Sequence, residues 1–241
     1  MALRQTYLSY NKEVYPHYYL CSYLPRSAGR DTLSHSLLKF KRGRQPDLDG
    51  WIDCAVEMLT EMSISPGTAV VRALHHNEII VPDTPVPLDL LGQQLAARFH
   101  LCYHPRLLFK AHPIRPVKAF GRPRREEELQ GLYTIDPAYA AVTFPEGPPK
   151  HWLIIDDILT SGATIRAIIQ AIQQSNPASA SLTIFTLTRA ELSTLPHTSA
   201  SIKGLHYQLE QGADWVLAEP SLPPYSLLQL KNMIRKDVFN F

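Results

Sequence analysis

Asp156 and Asp157 are adjacent, and Thr160, Ser161, Gly162, Ala163 and Thr164 follow them closely. Ionised carboxylates only accept hydrogen bonds, so a neighbouring pair suits a vicinal diol or a divalent cation. The hydroxyl, glycine and alanine residues at 160–164 are small, and such a turn lets backbone N–H groups face outward and cradle an anion. Two acids beside an anion cradle repel the anion unless a neutral or cationic group lies between. A ribose 5-phosphate meets both demands, with its phosphate in the 160–164 turn and its 2- and 3-hydroxyls on Asp156 and Asp157.

These groups need a strand and a helix to aim them. Residues 152–155, Trp-Leu-Ile-Ile, form a short apolar, partly β-branched run after the loop signal Pro148-Pro149, which predicts a central parallel strand. Both acids then sit at its carboxyl end. Ile165, Ile168, Ile169 and Ile172 fall at i, i+3, i+4 and i+7, so a helix with one apolar face follows the turn at once. Its first N–H groups and partial positive charge favour a phosphate. The plain alternative is an Asp-Asp turn followed by an ordinary helix start.

The whole run Leu153-Ile154-Ile155-Asp156-Asp157-Ile158-Leu159-Thr160-Ser161-Gly162-Ala163-Thr164 resembles the phosphoribosyl-pyrophosphate motif of type I phosphoribosyltransferases. The resemblance covers residues 68–190. It implies a three-layer α/β fold with a central, mainly parallel sheet, helices on both faces and a small hood or flap. Residues 67–220 are the expected core, 1–66 an N-terminal helical extension or hood, and 221–241 a C-terminal helix. It further implies binding of phosphoribosyl pyrophosphate and transfer of ribose 5-phosphate to a nitrogenous acceptor, with Asp156 and Asp157 as catalytic and ribose-binding residues. Mg2+ is the implied cofactor, reached through the ligand, with Asp156 and Asp157 as its protein contacts.

Residues 68–74 read as another core strand, which delivers Leu74, His75 and His76 to the sheet's carboxyl end, where open α/β sheets collect ligands. The resemblance implies that this loop holds pyrophosphate, largely through backbone N–H groups. A solvated turn is the alternative, and no third metal ligand accompanies the two histidines at a suitable spacing. Seven basic residues and no acid lie between His104 and Arg125, with prolines at 105, 113, 116 and 123, so a long mobile loop is expected there. In the family such a loop folds over the substrate, which gives Arg115, Lys118, Arg124 and Arg125 to the pyrophosphate. The same basic strip, interleaved with Phe109 and Phe120, suits single-stranded nucleic acid.

Leu91-Gly92-Gln93-Gln94 and the stretch from Arg125 through Glu128 to Gly131 and Tyr133 resemble signatures of the ComF-like, competence-associated branch. That branch has a basic residue before the first glycine and asparagine where Glu128 stands, and often begins with a four-cysteine zinc segment that this chain does not carry. The branch implies a second function, a nucleotide-responsive regulator or an accessory factor in DNA handling without turnover.

Elsewhere, helical spacing predicts helices over residues 31–40, 47–62, 88–99 and 225–238, and residues 181–189 read as a strand ending at Arg189. Prolines make 79–87 an extended loop, 136–150 is a connecting loop, and the tyrosines of residues 1–30 are expected to cover a core edge. The 241 residues carry 24 basic and 22 acidic side chains, a net charge of +2 that selects no polyanionic partner. Three cysteines, at 21, 54 and 102, make neither a disulfide framework nor a zinc ribbon, and a reducing cytoplasm is the expected compartment. No apolar run approaches about 18 residues and the first residues lack a signal-peptide core, so no membrane partner is expected. A homodimer is the expected assembly.

Overall fold

Trp152 and Ile154 pack into one apolar cluster while their neighbours Leu153 and Ile155 pack into another. A strand covered on both faces is an interior strand of a layered α/β protein. The computed structural model describes residues 3–24, 32–114, 128–176 and 180–190, with Asn232. In chain order its elements are β1 (Arg4–Tyr10), β2 (Glu13–Tyr23), α1 (Thr32–Lys41), α2 (Asp47–Leu59), β3 (Ala69–Arg72), α3 (Pro87–Phe99) and β4 (Cys102–Tyr103). There follow β5 (Leu108–Lys110), β6 (Tyr133–Ile135), α4 (Pro137–Thr143), β7 (His151–Leu159), α5 (Ala163–Ser175) and β8 (Ser181–Ala190).

Six strands form one sheet in the order β1-β2-β8-β7-β3-β4, parallel throughout except for the antiparallel β1–β2 pair. On one face lies α5, whose Ile165, Ile168, Ile169 and Ile172 pack with Ala69, Val71, Trp152, Ile154, Leu182 and Ile184. On the other lie α1, α2 and α3, over Val70, Leu153, Ile155, Phe185 and Leu187. The protein is thus a mixed α/β fold with a mostly parallel central sheet between two helical layers. Each buried isoleucine of α5 contributes about 1.5–3 kcal/mol of transfer free energy, so the helix axis is firmly held.

Connectivity creates a crevice. From β3 the chain crosses through α3 to β4 on one face, and from β7 it crosses through α5 to β8 on the opposite face and in the opposite direction. The loops leaving β3 and β7 therefore diverge, and a switch point of this kind is where open α/β sheets take up ligands.

Several sequence expectations change here. Residues 1–66 were expected to form a helical extension or hood outside the core; α1 and α2 are helices as expected, but β1 and β2 are strands of the main sheet, joined by a two-residue hairpin in which Asn11 and Lys12 both have positive φ, 49° and 67°. That is the backbone of a tight hairpin turn. Pro16 is tolerated in β2 because pairing with β8 begins only at His17. Within the expected long loop at 104–125, β5 forms a strand that pairs antiparallel with β6 in a separate two-stranded sheet. The expected 136–150 loop contains α4, started by Asp136, whose carboxylate accepts from the N–H groups of Ala138 and Tyr139. The expected helix at 225–238 lies outside the described residues apart from Asn232.

Gly92 has a packing role. A Cβ added there would lie 2.6–2.9 Å from three atoms of the Tyr103 ring, and that ring is pinned by its hydroxyl, which donates to Asp89 at 2.5 Å. Alanine gains about 1 kcal/mol in helix propensity over glycine, whereas overpacking costs about 1–3 kcal/mol. Gly92→Ala is expected to lower stability by about 1 kcal/mol in urea unfolding. An increase would show that the ring yields freely.

Candidate functional site

Adjacent strand residues point to opposite faces, and this separates the two acids. Asp157 faces the α1 layer, where Lys41 Nζ lies 2.8 Å from its Oδ2. Asp156 takes the other face, where its charge raises the pKa of Tyr133 after burial has done most of the work. One Asp156 oxygen accepts the N–H of Asp157 at 2.8 Å. Burial first, then the neighbouring Asp157 charge, push Asp156 up to about 7, against the pull of Lys41, the Asp157 N–H and Arg72. Burial opposes the charge on Lys41, but Asp157 and then Asp156 raise its pKa above the usual lysine value.

Beyond the acids, Gly162 turns the chain with φ +78° as the residue preceding α5. The left-handed φ is what demands glycine; a Cβ there would stand 2.7 Å from Leu8 Cδ1 and 3.2 Å from Arg166 Nη1, the ends of two side chains that can shift. Ser161 Oγ accepts loosely from the Ala163 N–H at 3.4 Å, and Gly162 offers no side chain to cap α5. A helix N-terminus without a capping side chain presents its N–H groups and dipole to an anion. Arg166 adds a guanidinium beside the same turn.

The neighbouring loop is held from below. The β3–β7 pairing aligns Arg72 with Ile155, and the Ala73 N–H donates to the Ile155 carbonyl at 2.9 Å, so residues 73–78 leave the sheet next to Asp156. Arg72 is buried and donates to Glu78 through both terminal nitrogens, at 2.8 and 3.0 Å, and to Asp89. Burial opposes its charge, but the hydrogen bonds to Glu78 and Asp89 outweigh burial and raise its pKa. Glu78 also accepts the His75 N–H at 2.5 Å. Lys110, 1% exposed, donates to the His75 carbonyl, and the Tyr133 hydroxyl donates to the Leu74 carbonyl at 3.3 Å. Burial pushes the Lys110 ammonium down to about 8, with Glu78 opposing and Arg72 assisting. His75 and His76 lie with ring centroids 4.0 Å apart, and the His75 ring bonds Asn77.

The fold therefore gathers Asp156, Asp157, the 160–164 turn and the Leu74-His75-His76 loop at one end of β3 and β7. Arg115, Lys118, Arg124 and Arg125 lie outside the described residues. Two other members of the basic stretch are committed elsewhere, Lys110 under the 75–78 loop and Arg106 to Asp83 at 3.0 Å. Arg189 turns toward the β1–β2 hairpin, with Nη1 3.2 Å from Thr6 Oγ1 and its guanidinium over the Tyr19 ring. Sequence reasoning missed Lys41, Arg72 and Arg166, and it placed Lys110 in the basic stretch and Tyr133 in the ComF-like signature rather than beneath the 74–76 loop. A charged residue inside an apolar strand, as at Arg72, was the one readable signal. Among the described residues no cluster of three acidic, histidine or cysteine ligands could hold a metal ion.

No family model matches the sequence, and no curated protein matches it. Among solved structures, the adenine phosphoribosyltransferase of Leishmania tarentolae is similar over 70% of this chain and 90% of that one, at 15% identity and a TM-score of 0.37. A likeness of that size carries no weight for family or activity, and none of these comparisons points to the ComF-like branch.

The raised pKa of Asp156 has a consequence for stability. The native state binds the extra proton between about pH 4 and pH 7, so stability falls as pH rises through that window and the penalty is complete above it. Asp156→Asn cannot ionise and escapes the penalty. The melting temperature of Asp156→Asn relative to wild type is expected to climb between pH 4 and pH 8, by about 2–4 °C per kcal/mol relieved. A difference independent of pH would show that Asp156 is not electrostatically strained.

Proposed function

We propose that this protein is a phosphoribosyltransferase that binds phosphoribosyl pyrophosphate and transfers its ribose 5-phosphate to a nitrogenous acceptor. The observation that carries this reading is the junction of β7 with α5, where paired acids, a glycine turn and an uncapped helix N-terminus follow one another beside a second ligand-facing loop. The 5-phosphate binds the N–H groups of residues 160–164, with Arg166 beside them. The ribose hydroxyls donate to Asp156 and Asp157.

In the reaction the bond between ribose C1 and the pyrophosphate oxygen breaks, a bond from C1 to the acceptor nitrogen forms, and the acceptor loses a proton. Positive charge grows at C1 and negative charge on the leaving group. Asp156 lies on the ribose side to stabilise the first. The 74–76 loop, resting on Arg72 and Lys110, lies where the second develops, and Glu78 must release the His75 N–H for that group to bind pyrophosphate.

The described residues supply hard carboxylate oxygens but no complete cage, a donor set that fits Mg2+ arriving on ligand oxygens and touching Asp156 or Asp157. Held by Asp156 or Asp157, such an ion would supply positive charge against that of a departing pyrophosphate.

Asp156→Asn combined with Asp157→Asn is expected to abolish calorimetric binding of phosphoribosyl pyrophosphate in magnesium; retained affinity removes this reading. Pyrophosphate release over a panel of nitrogenous bases then measures turnover. Binding without release, or salt-dependent affinity for single-stranded DNA in its place, would favour the regulator or accessory factor.

A further inference from the structure

One oxygen of Glu78 is shared by two donors of different kinds. Its Oε2 accepts the His75 N–H at 2.5 Å and Arg72 Nη1 at 2.8 Å, while Oε1 accepts Arg72 Nη2 at 3.0 Å. Two parallel bonds from one guanidinium are the fork by which arginine holds either a carboxylate or a phosphoryl group. The Arg72 side chain is 1% exposed and that of Glu78 is 11% exposed, so the acid is the nearer of the two to solvent.

The loop keeps this corner in shape independently of Glu78. The carbonyls of Leu74, His75 and His76 accept in turn from the Tyr133 hydroxyl at 3.3 Å, from Lys110 Nζ and from the Ile114 N–H at 3.0 Å. All three donors belong to β5, β6 or the residues just after β5. In a trans peptide the carbonyl and the following N–H point in opposite directions, so the N–H groups of His75, His76 and Asn77 turn away from that small sheet. The Arg72 charge is also provided for. Asp89 accepts from its Nε and, at 3.2 Å, from Nη2, so departure of Glu78 leaves the buried guanidinium one carboxylate. An arriving oxyanion restores the second.

We propose that this corner is an oxyanion position whose resident occupant is the chain's own Glu78 carboxylate, and that Glu78 competes there with a phosphoryl group of pyrophosphate. The inference rests on the phosphoribosyl-pyrophosphate reading above and deepens it: Arg72 becomes a binding residue, and one side chain of the protein sets the affinity of its own loop. The exchange replaces one anion by another on the same donors. The main chain at Glu78 has a bond of its own, its N–H donating to the His75 carbonyl at 2.9 Å, so rotation of the side chain is the motion required. While the acid holds the corner, apparent affinity for the anion is lowered by the fraction of molecules in which the corner is open.

The test is calorimetric titration of inorganic pyrophosphate, and separately of phosphoribosyl pyrophosphate, into the full chain in magnesium as wild type, Glu78→Gln and Glu78→Ala. Both variants are expected to bind each ligand more tightly than wild type, Glu78→Ala by about tenfold, as when a competitor that holds the corner about nine times in ten is removed. Thermal melts identify a variant that fails to fold. In wild type the His75 amide resonance is expected to shift on saturation with pyrophosphate, a readout that depends on no variant.

Equal or weaker binding by a folded variant overturns the proposal, since an acid that only braces the loop behaves so. An unmoved His75 resonance at saturation overturns it as well. If phosphoribosyl pyrophosphate binds wild type in either of those cases, the transferase reading stands without the Glu78 inference. If the variants gain affinity for pyrophosphate while no form binds phosphoribosyl pyrophosphate, the corner is an anion site and the transferase reading falls. Binding of neither ligand by any form overturns both.

Discussion

The parallel pairing of β7 between β3 and β8 is the constraint on which the rest of the site depends. It leaves β7 no free edge through its apolar half and fixes its register against both neighbours, Ile155 lying opposite Arg72 on one side and Phe185 on the other. Because side chains alternate along the strand, that register also decides which way each acid points. A slip of one residue would exchange Asp156 with Asp157 and move Trp152 and Ile154 into the wrong apolar layer. The two hydrophobic layers that cover the sheet thus hold the chemistry in place at a distance.

Charge is arranged around this frame in compensating groups. Arg72 is held by Glu78 and Asp89, and Tyr103 donates to the same Asp89, so β3, α3 and β4 converge on one buried cluster. Buried ion pairs give little net stability once desolvation is counted, but removing one member is costly, so such a cluster fixes geometry more than it adds stability. Here the geometry concerned is that of the 73–78 loop. Lys110 and Tyr133, from the small β5–β6 sheet, hold the same loop through its carbonyls. On the far side Lys41 and Asp157 join α1 to β7. The acid that remains least compensated is Asp156, raised toward neutrality by burial, and it is the one facing the loop and the helix turn.

The glycines divide along similar lines. Gly162 is required by its left-handed φ. Gly92 sits in an ordinary helical stretch and is required by a Tyr103 ring that Asp89 fastens. The first constraint is local, and the glycine at 162 was already marked by its place between a strand and a helix; the second depends on how β4 packs against α3 and could not be read from local pattern.

By itself the sequence determined the local pieces: the β7 run, the turn at 160–164, the helix periodicity of α5, α2 and α3, and the strands at β3 and β8. Those signals are carried by neighbours in the chain, through alternation, the 3.6-residue period and turn chemistry, and they suffice to put Asp156, Asp157 and residues 160–164 together. Tertiary structure alone decided which distant cations meet which acids, that the tyrosine-rich start is a hairpin in the main sheet, and that Lys110 is a buried support under a loop. The physical reason is that β2 becomes a strand by pairing with β8, 167 residues away, at register positions such as His17 with Ile184. Likewise a lysine in a basic run has no local feature to distinguish it, and only the packing of α1 on the sheet brings Lys41 to Asp157.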